Sequence, residues 1–157
     1  MLGGDELHAF LDQAIERADS EGGLCGLLLV HLRDNQGQDA ARGELKRAAQ
    51  IVARLMRQHD AVGVMEDGTL AVVLHALDYR GDAHVTLERL EAFACTAGLP
   101  WQLSTGVSVY PFSGEDIGDL WAACEHDLEG AMSSPNWEHI IPRETLLTHV
   151  PRPSLEG

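Results

Sequence analysis

Basic residues are scarce in this sequence. Its 157 residues carry 11 Lys+Arg against 25 Asp+Glu, a formal net charge of −14, and Lys46 is the sole lysine. Sequence-independent binding to nucleic acid or to anionic lipid needs a basic surface, so the balance argues against both. A small anionic ligand held by a few local arginines stays open. Cysteine is also sparse. Cys25, Cys95 and Cys124 are an odd set without CxxC spacing, as expected of reduced, buried thiols in a cytosolic protein. No apolar run approaches the ~20 residues of a membrane span, and no signal-peptide pattern opens the chain. Internal repeats and long low-complexity tracts are missing too. A cytoplasmic protein without membrane insertion is the expectation. What the chain does have is 45% hydrophobic residues in a length that suits one domain with one core.

The densest local signal lies between Arg57 and Leu74. Asp67-Gly68 separates two apolar runs, a strong hairpin signal because Gly takes φ > 0 without a Cβ penalty. Strands are expected at 61–66 and 69–76. Just upstream, Arg57 and Asp60 stand three apart where a helix is about to stop. A guanidinium fork can donate to O6 and N7 of a guanine, and a carboxylate can accept from its N1 and N2 hydrogens. The same pair can equally be a local ion pair or cap at a helix end, where surface pairs contribute about 0–1 kcal/mol.

Elsewhere the hydrophobic periodicity gives alternating helices and strands. Leu7, Phe10, Leu11, Ala14, Ile15 and Ala18 mark a helix over 5–21, ended by Gly22-Gly23. The apolar run 24–32 reads as a strand buried on both faces. It leads to His31, Arg33 and Asp34 and then a polar loop over 34–39. The longest helix is expected over 40–59, with Leu45, Ala48, Ala49, Val52, Leu55 and Met56 inward and Arg42, Lys46, Arg47, Arg54 and Arg57 on its solvated side. A helix over 83–97 turns Val85, Leu90, Phe93, Ala94 and Ala97 inward, with Gly98 as its C-cap. A strand over 103–110 stops at Pro111. Ser113 or Asp116 caps a last helix carrying Ile117, Leu120, Trp121, Cys124, Leu128 and Ala131, which Ser133-Ser134-Pro135-Asn136 breaks. Trp137 to Ile141 reads as a short edge strand. The resulting β-α-β-β-α-β order, with helices on one face, is ferredoxin-like in logic.

Several side chains have bland readings. His31 fits a core histidine better than a metal ligand partnered by His75. Trp121 belongs to a buried register, whereas Trp101 and Trp137 sit at element edges and suit an interface. Glu115, Asp116, Asp119, Glu125, Asp127 and Glu129 form a solvated helix face. Cys124 is a small core residue.

Leu103-Ser104-Thr105-Gly106-Val107-Ser108-Val109-Tyr110-Pro111 and the helix from Asp119-Leu120-Trp121 to Leu128-Glu129-Gly130-Ala131 resemble the corresponding strand and helix of GGDEF domains, the diguanylate cyclase family. The resemblance covers roughly residues 2–141, with 142–157 as a loosely ordered tail. It implies an α+β, nucleotidyl-cyclase-type βαββαβ fold with an antiparallel or mixed sheet and packed helices. It also implies that catalysis is lost. Glu66-Asp67-Gly68-Thr69-Leu70 falls on the five signature positions, so two glycines become acids that would repel a triphosphate, and the metal-binding acid becomes Gly68. The first metal aspartate of the strand becomes His31, a poor ligand for Mg²⁺. The late-helix lysine, expected near Met132, is missing. Gly3-Gly4-Asp5-Glu6 looks like the signature but precedes a helix.

One family feature survives. The inhibitory site for cyclic di-GMP uses an RxxD five residues before the signature, and Arg57 and Asp60 keep that spacing. A second arginine completes such sites; Arg89 is the nearest candidate, with Arg80 behind it. The expected protein is therefore a non-catalytic regulatory module without cofactor or metal. It would bind cyclic di-GMP through Arg57, Asp60 and Arg89, and act on a protein partner of a signalling or secretion system or as a homodimer. The alternative is a nucleotide-independent interaction or dimerisation module.

Overall fold

A computed structural model describes residues 2–34 and 36–133. The elements are α1 (Gly4–Glu21), β1 (Leu24–Arg33), α2 (Arg42–Leu55), β2 (Ala61–Val64), β3 (Thr69–Leu77), α3 (Asp82–Thr96), β4 (Gln102–Tyr110) and α4 (Ile117–Met132). The expected edge strand at 137–141, Trp137 and the tail from 142 lie outside the described residues.

The four strands form one sheet in the order β2-β3-β1-β4. This is the order that β-α-β-β-α-β connectivity produces. Every strand pair is antiparallel, so the sheet is not mixed; a single parallel bridge joins Leu2 to Gly63. β1 is central and pairs with β4 without a register break from Cys25–Tyr110 to Arg33–Gln102. Its interior residues are all buried, because side chains alternate between faces and both faces are covered. Leu27 and Leu29 pack with α1 and α4, while Leu28, Val30 and Leu32 pack with α2 and α3. Helices on one face alone were expected. The second layer follows from the apolar stripes of α1 and α4, which need a surface to cover. Close approach of α4 to β4 depends on Gly106, where a Cβ would lie 2.4 Å from the Cys124 carbonyl oxygen.

Local chemistry sets most boundaries. α1 ends at Gly22 in the left-handed region (φ 71°), and the Gly23 N–H reaches the Ala18 carbonyl at 2.8 Å. Gly3-Gly4 begins α1 rather than a strand turn, as expected. Asp116, not Ser113, caps α4 by accepting from the Asp119 N–H at 2.8 Å. The β2–β3 turn closes with Gly68 at φ 89° and with the Gly68 N–H donating to the Met65 carbonyl at 3.1 Å.

Four burial expectations are corrected. On α3 the inward stripe is Ala83, Leu87, Leu90 and Ala94, while Val85 is 51% and Phe93 37% exposed; the former set recurs at i, i+4, i+7 and i+11 and makes the better helical seam. Trp101 is buried under α2, its Nε1 donating to Glu44 Oε2 at 3.3 Å. Trp121 is only half-buried, edge-on to His8 with ring centroids 4.5 Å apart. Cys95 is exposed, unlike Cys25 and Cys124. No helix among the described residues is long and apolar enough to cross a membrane.

Candidate functional site

α2 stops at Leu55, earlier than its apolar pattern suggests, and Met56 is extended (ψ 161°). Arg57 and Asp60 therefore lie in the turn that follows the helix, where the Asp60 N–H donates to the Arg57 carbonyl at 3.1 Å. Within this turn Arg57 grips Asp60 with a fork. Its Nε donates to Oδ2 at 3.2 Å and its terminal nitrogen to Oδ1 at 3.1 Å. The Arg57 backbone N–H adds a bond to Oδ2 at 3.1 Å, and the His75 backbone N–H one to Oδ1 at 3.0 Å. The guanidinium closes the ring by donating to the His75 carbonyl. Asp60 holds the Arg57 proton more firmly, raising its pKa above the ordinary value.

The two partners differ in accessibility. The Asp60 side chain is 2% exposed and that of Arg57 52%. A carboxylate offers about four lone-pair sites, and four N–H donors of the same chain occupy those of Asp60. The pair is thus a latch that ties the α2–β2 turn to the end of β3. A guanine edge would have to displace Arg57 or the His75 backbone to reach this carboxylate. Arg89 is exposed on α3, and among the described residues no hydrogen bond or ion pair joins it to Arg57 or Asp60. Arg80 lies over the Phe112 ring at 4.7 Å.

Beside the latch, an open groove of about 600 Å³ runs between α1 and the end of β3, lined by Phe10, Arg17, Glu21, His59, Asp60 and His75 among others. Arg17 approaches His75 Nε2 at 3.3 Å, and Phe10 stands edge-on to the same ring at 6.3 Å. Burial first, then the positive charges of Arg17 and His59, hold the His75 pKa below its usual range. His75 Nδ1 is buried without a partner. Sequence reasoning missed Arg17. It lies 58 residues from His75, and no local pattern links the two.

Glu66-Asp67-Gly68-Thr69-Leu70, read above onto the signature, occupies the β2–β3 turn and the start of β3. Glu66 and Asp67 are exposed, and Leu70 is fully buried. Asp67 Oδ1 accepts from the Thr69 N–H at 3.1 Å and the Thr69 hydroxyl at 2.7 Å, so its carboxylate serves the turn. His31 pairs across the sheet with Thr69. The fold thus sets position 31 against this turn. His31 is 9% exposed, its Nε2 lies 3.0 Å from Asp39 Oδ1, and its Nδ1 has no partner. His75 stands six residues further along β3, about 20 Å away, so the two histidines do not share a ligand. Among the described residues no three His, Cys, Asp or Glu side chains converge to hold a metal ion.

The acids of α4 are exposed as expected, but two do structural work. Asp116 caps the helix, and Asp127 accepts from the Val107 N–H at 2.9 Å, blunting the β4 edge.

No protein-family model matches the sequence, and neither does any curated protein. Solved structures do match. A sensory box/GGDEF family protein of Caulobacter crescentus is 22% identical, with 86% of this chain and 95% of that one covered and a TM-score of 0.69. A microbial GGDEF domain described in a novel interaction mode with cyclic di-GMP is 16% identical, covering 83% and 87%, with a TM-score of 0.68. The diguanylate cyclase SiaD of Pseudomonas aeruginosa, solved with its activator SiaC, is 21% identical over 83% of this chain and 54% of that one, with a TM-score of 0.69. At such identities the likeness establishes architecture, and the architecture of this chain is that of the GGDEF domains.

Proposed function

We propose that this chain is a regulatory module on the GGDEF fold that makes no cyclic dinucleotide and acts by docking to a protein partner of a signalling or secretion system. The observation that carries the reading is the closed latch: the Asp60 side chain is 2% exposed and spends both oxygens on its own chain. Loss of cyclase chemistry is supported by His31 and Gly68 at the metal positions and by Glu66 and Asp67 where a triphosphate would approach. A diguanylate cyclase that matches this fold over 54% of its chain was solved in complex with a protein activator. Thermal-shift measurements with GTP–Mg²⁺, with cyclic di-GMP and without ligand test it. No stabilisation by either nucleotide is expected, and a shift with cyclic di-GMP would overturn the nucleotide-independent reading.

A second reading keeps the module non-catalytic but makes it a cyclic di-GMP receptor through Arg57, Asp60 and Arg89. Two features favour it: the half-exposed Arg57 guanidinium beside an open groove, and a GGDEF domain on the same fold described with that ligand. Binding would require the latch to open so that Arg57 takes a phosphate or guanine edge. Calorimetry on wild type, Arg57→Ala and Arg89→Ala discriminates: heat lost in both variants supports the receptor, and no heat from the wild type ends it.

A further inference from the structure

The charges of this acidic chain are unevenly shared among the helices: α2 alone is basic, and α3 beside it carries Asp82, Glu88 and Glu91 against Arg89. On α2, Arg42, Lys46, Arg47 and Arg54 are all exposed. Its single acid, Glu44, is occupied by the Ala41 N–H at 3.2 Å and by Trp101 Nε1. Across the sheet, α1 exposes Asp5, Glu6, Asp12, Glu16, Asp19 and Glu21 against Arg17 alone. α4, in the same layer, adds Asp119, Glu125, Asp127 and Glu129 and has no Lys or Arg. A basic helix and an acidic layer thus face away from each other on opposite sides of one sheet.

The two helix surfaces also match in shape. At 100° per residue, Asp5, Asp12 and Glu16 fall within a stripe about 40° wide, opposite the buried face of α1. On α2, Arg42 and Lys46 form one row and Arg47 and Arg54 another, about 100° apart, with Gln50 between them. The acidic stripe spans roughly 17 Å and the basic rows roughly 18 Å at 1.5 Å per residue. The side chains of Asp5, Asp12 and Glu16 have no hydrogen bond or ion pair among the described residues, and neither do those of Arg42, Lys46 and Arg54.

We propose that the exposed face of α2 docks the exposed face of α1 on a second copy of this chain, the acidic stripe lying between the two basic rows. The inference rests on the docking reading above and adds the surface and the partner. The contact is heterologous, so each added copy leaves one basic and one acidic face unfilled, and association runs past the dimer unless a ring closes. With few apolar groups at its centre the contact is weak and electrostatic. The −14 net charge adds a general repulsion that salt also screens, so charge exchange is a cleaner probe than salt.

Sedimentation equilibrium of the whole chain, from about 20 μM to 1 mM, concentrations at which weak contacts are resolved, tests the proposal. Wild type is expected to gain mass with concentration. Lys46→Glu with Arg54→Glu, and separately Asp12→Lys with Glu16→Lys, are each expected to weaken association at least tenfold while circular dichroism stays unchanged. An equimolar mixture of the two variants, one keeping an acidic α1 and the other a basic α2, is expected to form a heterodimer. If the lysine variants misfold, Asp12→Asn with Glu16→Gln serves the same arm. A wild type that stays monomeric, association indifferent to both exchanges, or folded variants that do not complement each other would overturn self-docking. A monomeric wild type that also ignores cyclic di-GMP leaves the module docking a different protein, so the two failures are distinguishable.

Discussion

Replacing Asp60 by alanine separates a latch from a ligand site. The substitution removes a carboxylate 2% exposed to solvent that accepts from two backbone N–H groups and from both arms of the Arg57 fork. The His75 N–H is part-buried and would lose the Asp60 acceptor, a cost of about 1–3 kcal/mol for an orphaned donor. The half-exposed guanidinium can turn to water, so its pairing adds little. Together the loss is about 2–3 kcal/mol, which lowers the Tm of a domain this size by roughly 8–12 °C. Arg57→Ala leaves both backbone donors on Asp60 and should cost about 1 kcal/mol or less, roughly 4 °C. Differential scanning calorimetry on the two variants measures the contrast. An Asp60→Ala protein that melts within 2 °C of wild type, on a scale of ~4 °C per kcal/mol, yet loses heat of cyclic di-GMP binding would refute the reasoning, because the carboxylate would then face the ligand and not the chain.

Other perturbations follow from single observations. Folding favours neutral His75, whose pKa lies below its ordinary 6.5; its stabilising share is complete above that pH and is lost as the pH falls toward the folded-state value, because the unfolded chain then binds more protons. Wild type should therefore lose more Tm than His75→Gln between pH 7.5 and pH 5.5, a window around the ordinary histidine value of ~6.5; equal losses would clear His75 of that role. Gly106→Ala sets a Cβ 2.4 Å from the Cys124 carbonyl and 2.6 Å from the Leu128 nitrogen, so α4 must shift at a cost above about 3 kcal/mol. Gly43→Ala on α2 meets nothing within 4 Å and should stabilise by up to about 1 kcal/mol in urea titrations. A thiol reagent should modify Cys95 alone in the folded protein, since burial raises the pKa of Cys25 to about 11 and of Cys124 to about 12; fast reaction of a second thiol would contradict the packing.

By itself the sequence determined the elements and their order. The three-and-four spacing of Leu7, Leu11, Ala14 and Ala18, the unbroken run of β1 and the Asp67-Gly68 turn are short-range signals, and each was realised close to its expected bounds. The strand order β2-β3-β1-β4 is the one expected of β-α-β-β-α-β connectivity; only the β2–β3 pair is joined by a short turn, and the helices carry the chain between the other paired strands. Tertiary structure decided what faces what. Val85 and Phe93 turned outward and Trp101 inward, since a weakly amphipathic helix has several seams and packing selects one. It also decided the fate of Asp60: an R-x-x-D spacing reads identically whether the carboxylate is open or filled. The donor that completes its filling is the backbone of His75, 15 residues on, carried there by the pairing of β3 with β2. Lone pairs are satisfied by whatever donors the fold brings within hydrogen-bond reach, and that is not written in any local stretch of the chain.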